Sequence, residues 1–148
     1  MGAETMPDGQ LTRFEFIHPD QLHAYWPTIR PGVESVMRES GNGWIPEDVY
    51  LSLKLQQSTL HVGYVDNRYQ GFVVLTPTKV HDGSNLHIWL TYSEPSATML
   101  PTFFPAIREC AEAMRAKRIT FHSSRPGWAR VAPKLGFEAT QTIYECEV

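Results

Sequence analysis

The chain has 148 residues, near the commonest size for one domain and too short for two ordinary ones. With 42% hydrophobic, 20% charged and 11% aromatic residues it can form a packed core, which argues against a largely disordered chain. A mean hydropathy of −0.30 and the lack of any apolar run of transmembrane length argue against a membrane-spanning helix. Met1–Met6 has neither the basic nor the apolar part of a secretory signal, and Met6 stands where a myristoylation pattern beginning at Gly2 wants Ser or Thr. The composition reads as a soluble, single-domain, intracellular-type protein: residues 1–10 disordered or loosely packed, then one domain over 11–148. Cys110 and Cys146 are too few and too far apart for a disulfide framework or a metal knuckle, and read as two small buried hydrophobes.

The net charge of −3 hides an asymmetry. From Arg108 to Lys134 seven basic residues face two acidic ones, a local charge of +5, while the rest of the chain carries −8. A basic segment in an acidic protein points to a local anion site or to solvated helix faces, not to general nucleic-acid affinity. It also lacks the interleaved aromatics of an RNA-binding strand and any recognition-helix pattern, so no nucleic-acid partner is expected.

Leu11–Ile17 alternates, with Phe14 and Phe16 on one face, and predicts a half-buried strand. From His18 to Ser40 the signals are helical, interrupted where Pro27 and Pro31 restart the chain, and Gly41-Asn42-Gly43 ends the stretch. Pro46-Glu47-Asp48 opens a second helix. Thr59–Val65 and Tyr69–Thr78 predict strands joined at Asp66-Asn67-Arg68. Phe72-Val73-Val74-Leu75 is continuously apolar, as a strand covered on both faces would be. Asn85–Tyr92 is a further strand and Ser93–Pro101 a loop. Leu100, Phe103, Ile107, Cys110 and Met114 then recur at helical spacing as far as about Ala116, with Pro105 placing the helix start near Thr102. Arg118–His122 predicts a strand, Arg125–Leu135 a helix closed by Gly136, and Ala139–Glu147 a last strand. The expected fold class is α/β: one mixed, twisted sheet, antiparallel in its first half, with a parallel crossover from Asn85–Tyr92 to Arg118–His122 and helices on both faces.

That order of elements, with Lys134-Leu135-Gly136-Phe137-Glu138 near the end, resembles the GNAT superfamily of N-acetyltransferases from about Leu11 to Val148. It is similar to a degenerate form found among uncharacterised bacteriophage proteins, some of them virion components. The resemblance implies acetyl-CoA held in a V-shaped gap between the family's fourth and fifth strands, here Asn85–Tyr92 and Arg118–Ser123. The backbone of His87–Tyr92, with Trp89, Leu90 and Tyr92 in the middle, would hold the pantetheine arm. Ser96, Thr98, Arg125 and Arg130 would hold phosphates, a guanidinium suiting phosphate well. Two departures stand out. The family's glycine-rich phosphate loop, which offers backbone amides and a helix N-terminus, is replaced by Ser93-Glu94-Pro95-Ser96-Ala97-Thr98, and Pro101 and Pro105 remove backbone donors nearby. The usual tyrosine general acid of the last helix falls on Ala132, leaving Tyr92 or Tyr144 to supply a proton.

His87 or Glu94 is the candidate general base, with His122 beside His87 on the facing strand and half-buried strand histidines as the plain alternative. Ser123 and Ser124 form no nucleophile pair with His122, because adjacent strand residues point to opposite faces. Trp44, Trp89 and Trp128 line either an acceptor groove or the core. The six histidines include no pair at ligand spacing, so no metal site is expected. Two functional readings follow. One is an acetyl-CoA-dependent N-acetyltransferase acting on the primary amine of a small molecule or a protein. The other is a catalytically inactive interaction or structural protein of the same fold, partnered by a second copy or a phage particle, in the host cytoplasm or the virion.

Overall fold

In the computed structural model, which describes residues 3–5, 9–40, 43–123 and 125–148, the apolar run Phe72–Leu75 lies fully buried at the centre of a six-stranded mixed sheet. Strands β1 (Ala3–Thr5), β2 (Leu11–Ile17), β3 (Thr59–Val65), β4 (Arg68–Val80), β5 (Gly83–Ser93) and β6 (Arg118–Thr120) follow one another across it in chain order. Every neighbouring pair is antiparallel except β5 and β6. Those two are parallel because the crossover helix α3 (Met99–Ala113) carries the chain back to the starting end. Alternation along β4 sends Val73 and Leu75 into a core with α3, and Phe72 and Val74 into a second core under α1 (Leu22–Ser40) and α2 (Pro46–Lys54). Asp66 and Asn67 both take positive φ (50° and 63°), forming the two-residue hairpin turn that their side chains favour. The expected α/β architecture is therefore the observed one. No helix among the described residues is long and apolar enough to cross a membrane.

Several local expectations are corrected. Within residues 1–10, Ala3–Thr5 forms a strand against β2. Phe14 and Phe16 do share a face, both meeting His61, yet only Phe14 is covered by Phe103 and Phe16 stays 44% exposed. Pro27 and Pro31 do not restart the chain but lie inside one 19-residue helix. Each removes a backbone donor at about 3 kcal/mol, and burial of Leu22, Ile29, Gly32 and Val33 against the sheet holds the helix together. For the same reason α3 starts at Met99, not Thr102: Met99, Leu100, Phe103 and Phe104 are buried across both of its prolines.

The last third departs most. β6 keeps three residues of the expected five. Pro126, Gly127 and Pro133 reduce the expected helix over Arg125–Leu135 to α4 (Trp128–Val131) and a 3-10 turn over Ala132–Leu135. Gly136 does close that segment, in the left-handed region at φ 91°. Residues 138–148 form neither helix nor strand and are exposed, in place of the expected closing strand. Their large apolar residues Ile143, Tyr144 and Val148 are all exposed, so the alternation of this segment does not by itself seat it on the sheet. Cys146 is accordingly exposed, not buried, while Cys110 is half-buried. Gly2, Gly41, Asn42 and Ser124, each singled out in the sequence, lie outside the described residues.

Candidate active site

β5 and β6 pair through Asn85 with Arg118, Leu86 with Ile119 and His87 with Thr120, and there the pairing ends. β5 continues to Ser93 bonded only to β4, while the chain beyond Thr120 leaves the sheet. The edge of β5 from Ile88 to Ser93 thus faces a gap with its backbone groups paired to no described strand on that side. At the root of the gap the register against β4 jumps from Val74–Leu90 to Leu75–Ile88, making Trp89 an extra residue on β5. This bulge resets which residues face which core. Leu86 and Ile88 join the α3 side, whereas Trp89 and Leu90 join the α1 and α2 side. Leu90's side chain is buried, so only its backbone is available to a ligand.

Two groups of titratable side chains stand along this edge. At the root, His87 Nδ1 lies 2.9 Å from Thr120 Oγ1, and its ring lies 4.7 Å from that of His122. Burial, and secondarily the neighbouring His122, lowers the His87 pKa below the ordinary histidine value. The ring is neutral near pH 7, and Nε2 remains to exchange a proton. Trp89 meets Trp44 edge-on at 6.0 Å, just ahead of α2. At the far end, the Tyr92 hydroxyl donates to Glu94 Oε2 at 2.5 Å, and this bond is the main cause of a raised Tyr92 pKa. The Tyr92 ring stacks on Phe72. Gly32 lets α1 lie against both rings, since a Cβ there would stand 2.7 Å from each. Tyr92 lies five positions beyond His87, roughly 15 Å of strand, so the two groups do not share one reacting atom.

The loop after β5 is better furnished than its sequence implied. Glu94 N–H donates to Gln70 O, Ala97 N–H to Glu94 O and Met99 N–H to Ser93 Oγ. Pro95 and Pro101 have no N–H. This leaves the amides of Ser96, Thr98 and Leu100 without a bond to any described residue. Ser96 takes φ 69°, the left-handed conformation that a glycine would adopt in a glycine-rich loop. Arg125, expected at phosphates, is ion-paired with Glu39 at the end of α1. Arg130 is exposed on α4, and Ala132 begins the 3-10 turn. The three tryptophans divide: Trp44 and Trp89 meet on one face, while Trp128 packs on Phe121 at 5.0 Å with the α3-side core. Tyr144 is 92% exposed on the C-terminal segment. Sequence reasoning missed Thr120, Ser93 and Glu39, because their roles depend on strand register and on helix ends meeting in space. Among the described residues, no three His, Cys, Asp or Glu side chains are grouped to hold a metal ion.

Compared with solved structures, the chain matches acetyltransferases over nearly its whole length. A probable acetyltransferase aligns with a TM-score of 0.69 at 16% identity, covering 92% of this chain and 97% of that one. The ribosomal-protein-alanine N-acetyltransferase from Brucella melitensis biovar Abortus 2308 aligns at 0.68 and 12%, covering 93% and 99%. Aminoglycoside N-acetyltransferase AAC(6')-Iy, in complex with CoA, aligns at 0.65 and 14%, covering 97% and 98%. No family model matches the chain, and no curated protein matches it. At such identities the likeness establishes the fold alone, an α/β fold shared with these acetyltransferases.

Proposed function

We propose that this chain is an acetyl-CoA-dependent N-acetyltransferase acting on a primary amine, with a remodelled cofactor loop. The observation that carries the reading is the unpaired β5 edge from Ile88 to Ser93, beginning where β5 and β6 part. Its N–H and C=O groups can bond the amides of a pantetheine arm as they would an added strand. The amides of Ser96, Thr98 and Leu100, with the Ser96 and Thr98 hydroxyls, suit phosphate oxygens at the end of that edge. Arg130 adds an exposed guanidinium without an ion pair among the described residues, and Arg125 joins only by leaving Glu39. The Tyr92 hydrogen bond draws charge from Glu94, easing its repulsion of an anion.

Bound acetyl-CoA supplies an acyl group already activated as a thioester. His87 Nε2 accepts the proton that the amine must lose, with the Thr120 hydroxyl holding the ring. Trp44 and Trp89 wall the acceptor side and exclude water. Tyr92 and Glu94 form a second proton-exchanging pair at the mouth. In a thiol-release assay over a panel of amines, His87→Gln lowers kcat by about 10²- to 10⁴-fold and removes the acid limb below pH 6.5 that a neutral imidazole creates. Glu94→Gln leaves that limb in place. No thiol release with any amine, or an unchanged profile in His87→Gln, contradicts the proposal.

A second reading rests on the Arg125–Glu39 ion pair and on Ala132 in the usual acid position: an inactive protein of the same fold serving as an interaction or structural component, such as one in a phage particle. It predicts a stable partner complex and no turnover.

A further inference from the structure

Between the first half of α1 and strands β3 and β4 lies a pocket of about 320 Å³, at the lower end of the roughly 300–1,000 Å³ of small-ligand sites. Its floor is apolar, formed by the buried Ile29 and Val62, and its walls carry Tyr25, Tyr64 and Tyr69. Tyr64 and Tyr69 are register partners across the β3–β4 hairpin, so their rings share one face of the sheet and meet edge-on at 6.5 Å. Tyr25 reaches them from α1, one turn before Ile29.

Two features separate this pocket from an ordinary packing gap. The Tyr69 hydroxyl is buried with no hydrogen-bond partner among the described residues, a state that costs stability until something bonds it. Tyr64 already holds a cation: the Arg13 guanidinium lies over its ring, 4.1 Å from the centroid, and donates to Glu15 at 3.0 Å. The same kind of electron-rich face attracts organic cations from solution. Charge agrees. Arg13 and Glu15 balance each other, which leaves the Glu94 carboxylate acting on the Tyr69 side. Burial first, and then Glu94, push the Tyr69 pKa up, so its oxygen stays a neutral hydroxyl able to accept from an N–H donor.

We infer that this pocket is a binding site for a small alkylammonium ion, with its chain on Ile29 and Val62, its charge among the tyrosine rings and one N–H donating to Tyr69 Oη. The site is separate from the β5–β6 gap, because Gly32 seats α1 on the rings of Phe72 and Tyr92 between the two. It does not depend on acetyl transfer: a chain that binds no acetyl-CoA would still carry it.

Amide nitrogen–proton spectra of the full chain, titrated near pH 7 with n-butylammonium chloride, test the inference. The uncharged probe of similar size is 1-butanol, at matched salt. Saturable shifts are expected at Ala24–Ile29, Val62–Tyr64 and Tyr69, with 1-butanol binding about tenfold more weakly. Ala24→Trp, which fills the pocket from an exposed position on α1, is expected to abolish them. Tyr69→Phe keeps the ring and removes only the hydroxyl, and is expected to weaken binding by about three- to tenfold; it decides the matter if Ala24→Trp disturbs the fold. No saturable shift, equal binding of 1-butanol, or unchanged affinity in Tyr69→Phe overturns the inference. So do shifts confined to Trp44, His87 and Trp89, which would put the ammonium at the acceptor side of the gap instead.

Discussion

His61 on β3 stacks on Phe14 at 4.9 Å, shares a 2.9 Å hydrogen bond with Thr59 through Nε2, and buries Nδ1 without a partner among the described residues. Burial lowers its pKa from 6.5 to about 4. The folded chain therefore stays neutral at this ring while the unfolded chain takes up a proton below pH 6.5. The stability it contributes is complete above that value and is lost as the pH falls through the window toward 4. The loss is about 2 kcal/mol between pH 7 and pH 5. His61→Phe keeps the stack and removes the proton uptake, so its thermal midpoint should fall less over that interval than the parent's; equal falls would refute the assignment. Ser96 is a second residue whose conformation matters. A serine at φ 69° is held at a cost of about 1 kcal/mol. Ser96→Gly should leave the midpoint unchanged or higher, and Ser96→Val should lower stability by about 1–2 kcal/mol, both read by chemical denaturation.

At the scale of elements, Gly32 decides how α1 meets the sheet. A methyl group there would stand 2.7 Å from the rings of Phe72 and Tyr92. Gly32→Ala should lower stability by about 1–3 kcal/mol, and displacing Tyr92 should break its bond to Glu94. The Tyr92 phenol would then titrate at lower pH, which ultraviolet absorbance can follow. Strands and turns such as Phe72–Leu75 and Asp66-Asn67 were legible in sequence because their signals are local. The continuity of α1 through Pro27 and Pro31 was not, since the compensation comes from burial against a sheet that local propensity does not see. Likewise, alternation in 139–147 reads as a strand without seating the segment on the sheet. His87, His122, Tyr92 and Glu94 were visible as candidates. Their division into two groups was not, because it depends on the Trp89 bulge and on His87 lying opposite Thr120.

For the whole molecule, the net charge of −3 is an average over parts that face each other. The +5 stretch includes β6 and α4, beside the gap on one side and the free sheet edge on the other. An anionic ligand in the gap would draw on it, so the proposed cofactor binding should weaken as salt is raised. Where the glycines of the loop are missing, read in sequence as a damaged or remodelled phosphate site, Ser96 takes a left-handed conformation and the amides of Ser96, Thr98 and Leu100 have no bond to any described residue. That is the point at which sequence and structure differ most in consequence. Isothermal titration of the full chain with acetyl-CoA is the most direct test of the β5–β6 gap as a cofactor site. The expected result is one saturable site per chain with a Kd between about 1 μM and 1 mM, the usual range for enzyme substrates, weakened at least tenfold by Thr98→Asp, which sets a carboxylate among the loop amides. No binding at millimolar acetyl-CoA, or equal affinity in Thr98→Asp, would contradict the account.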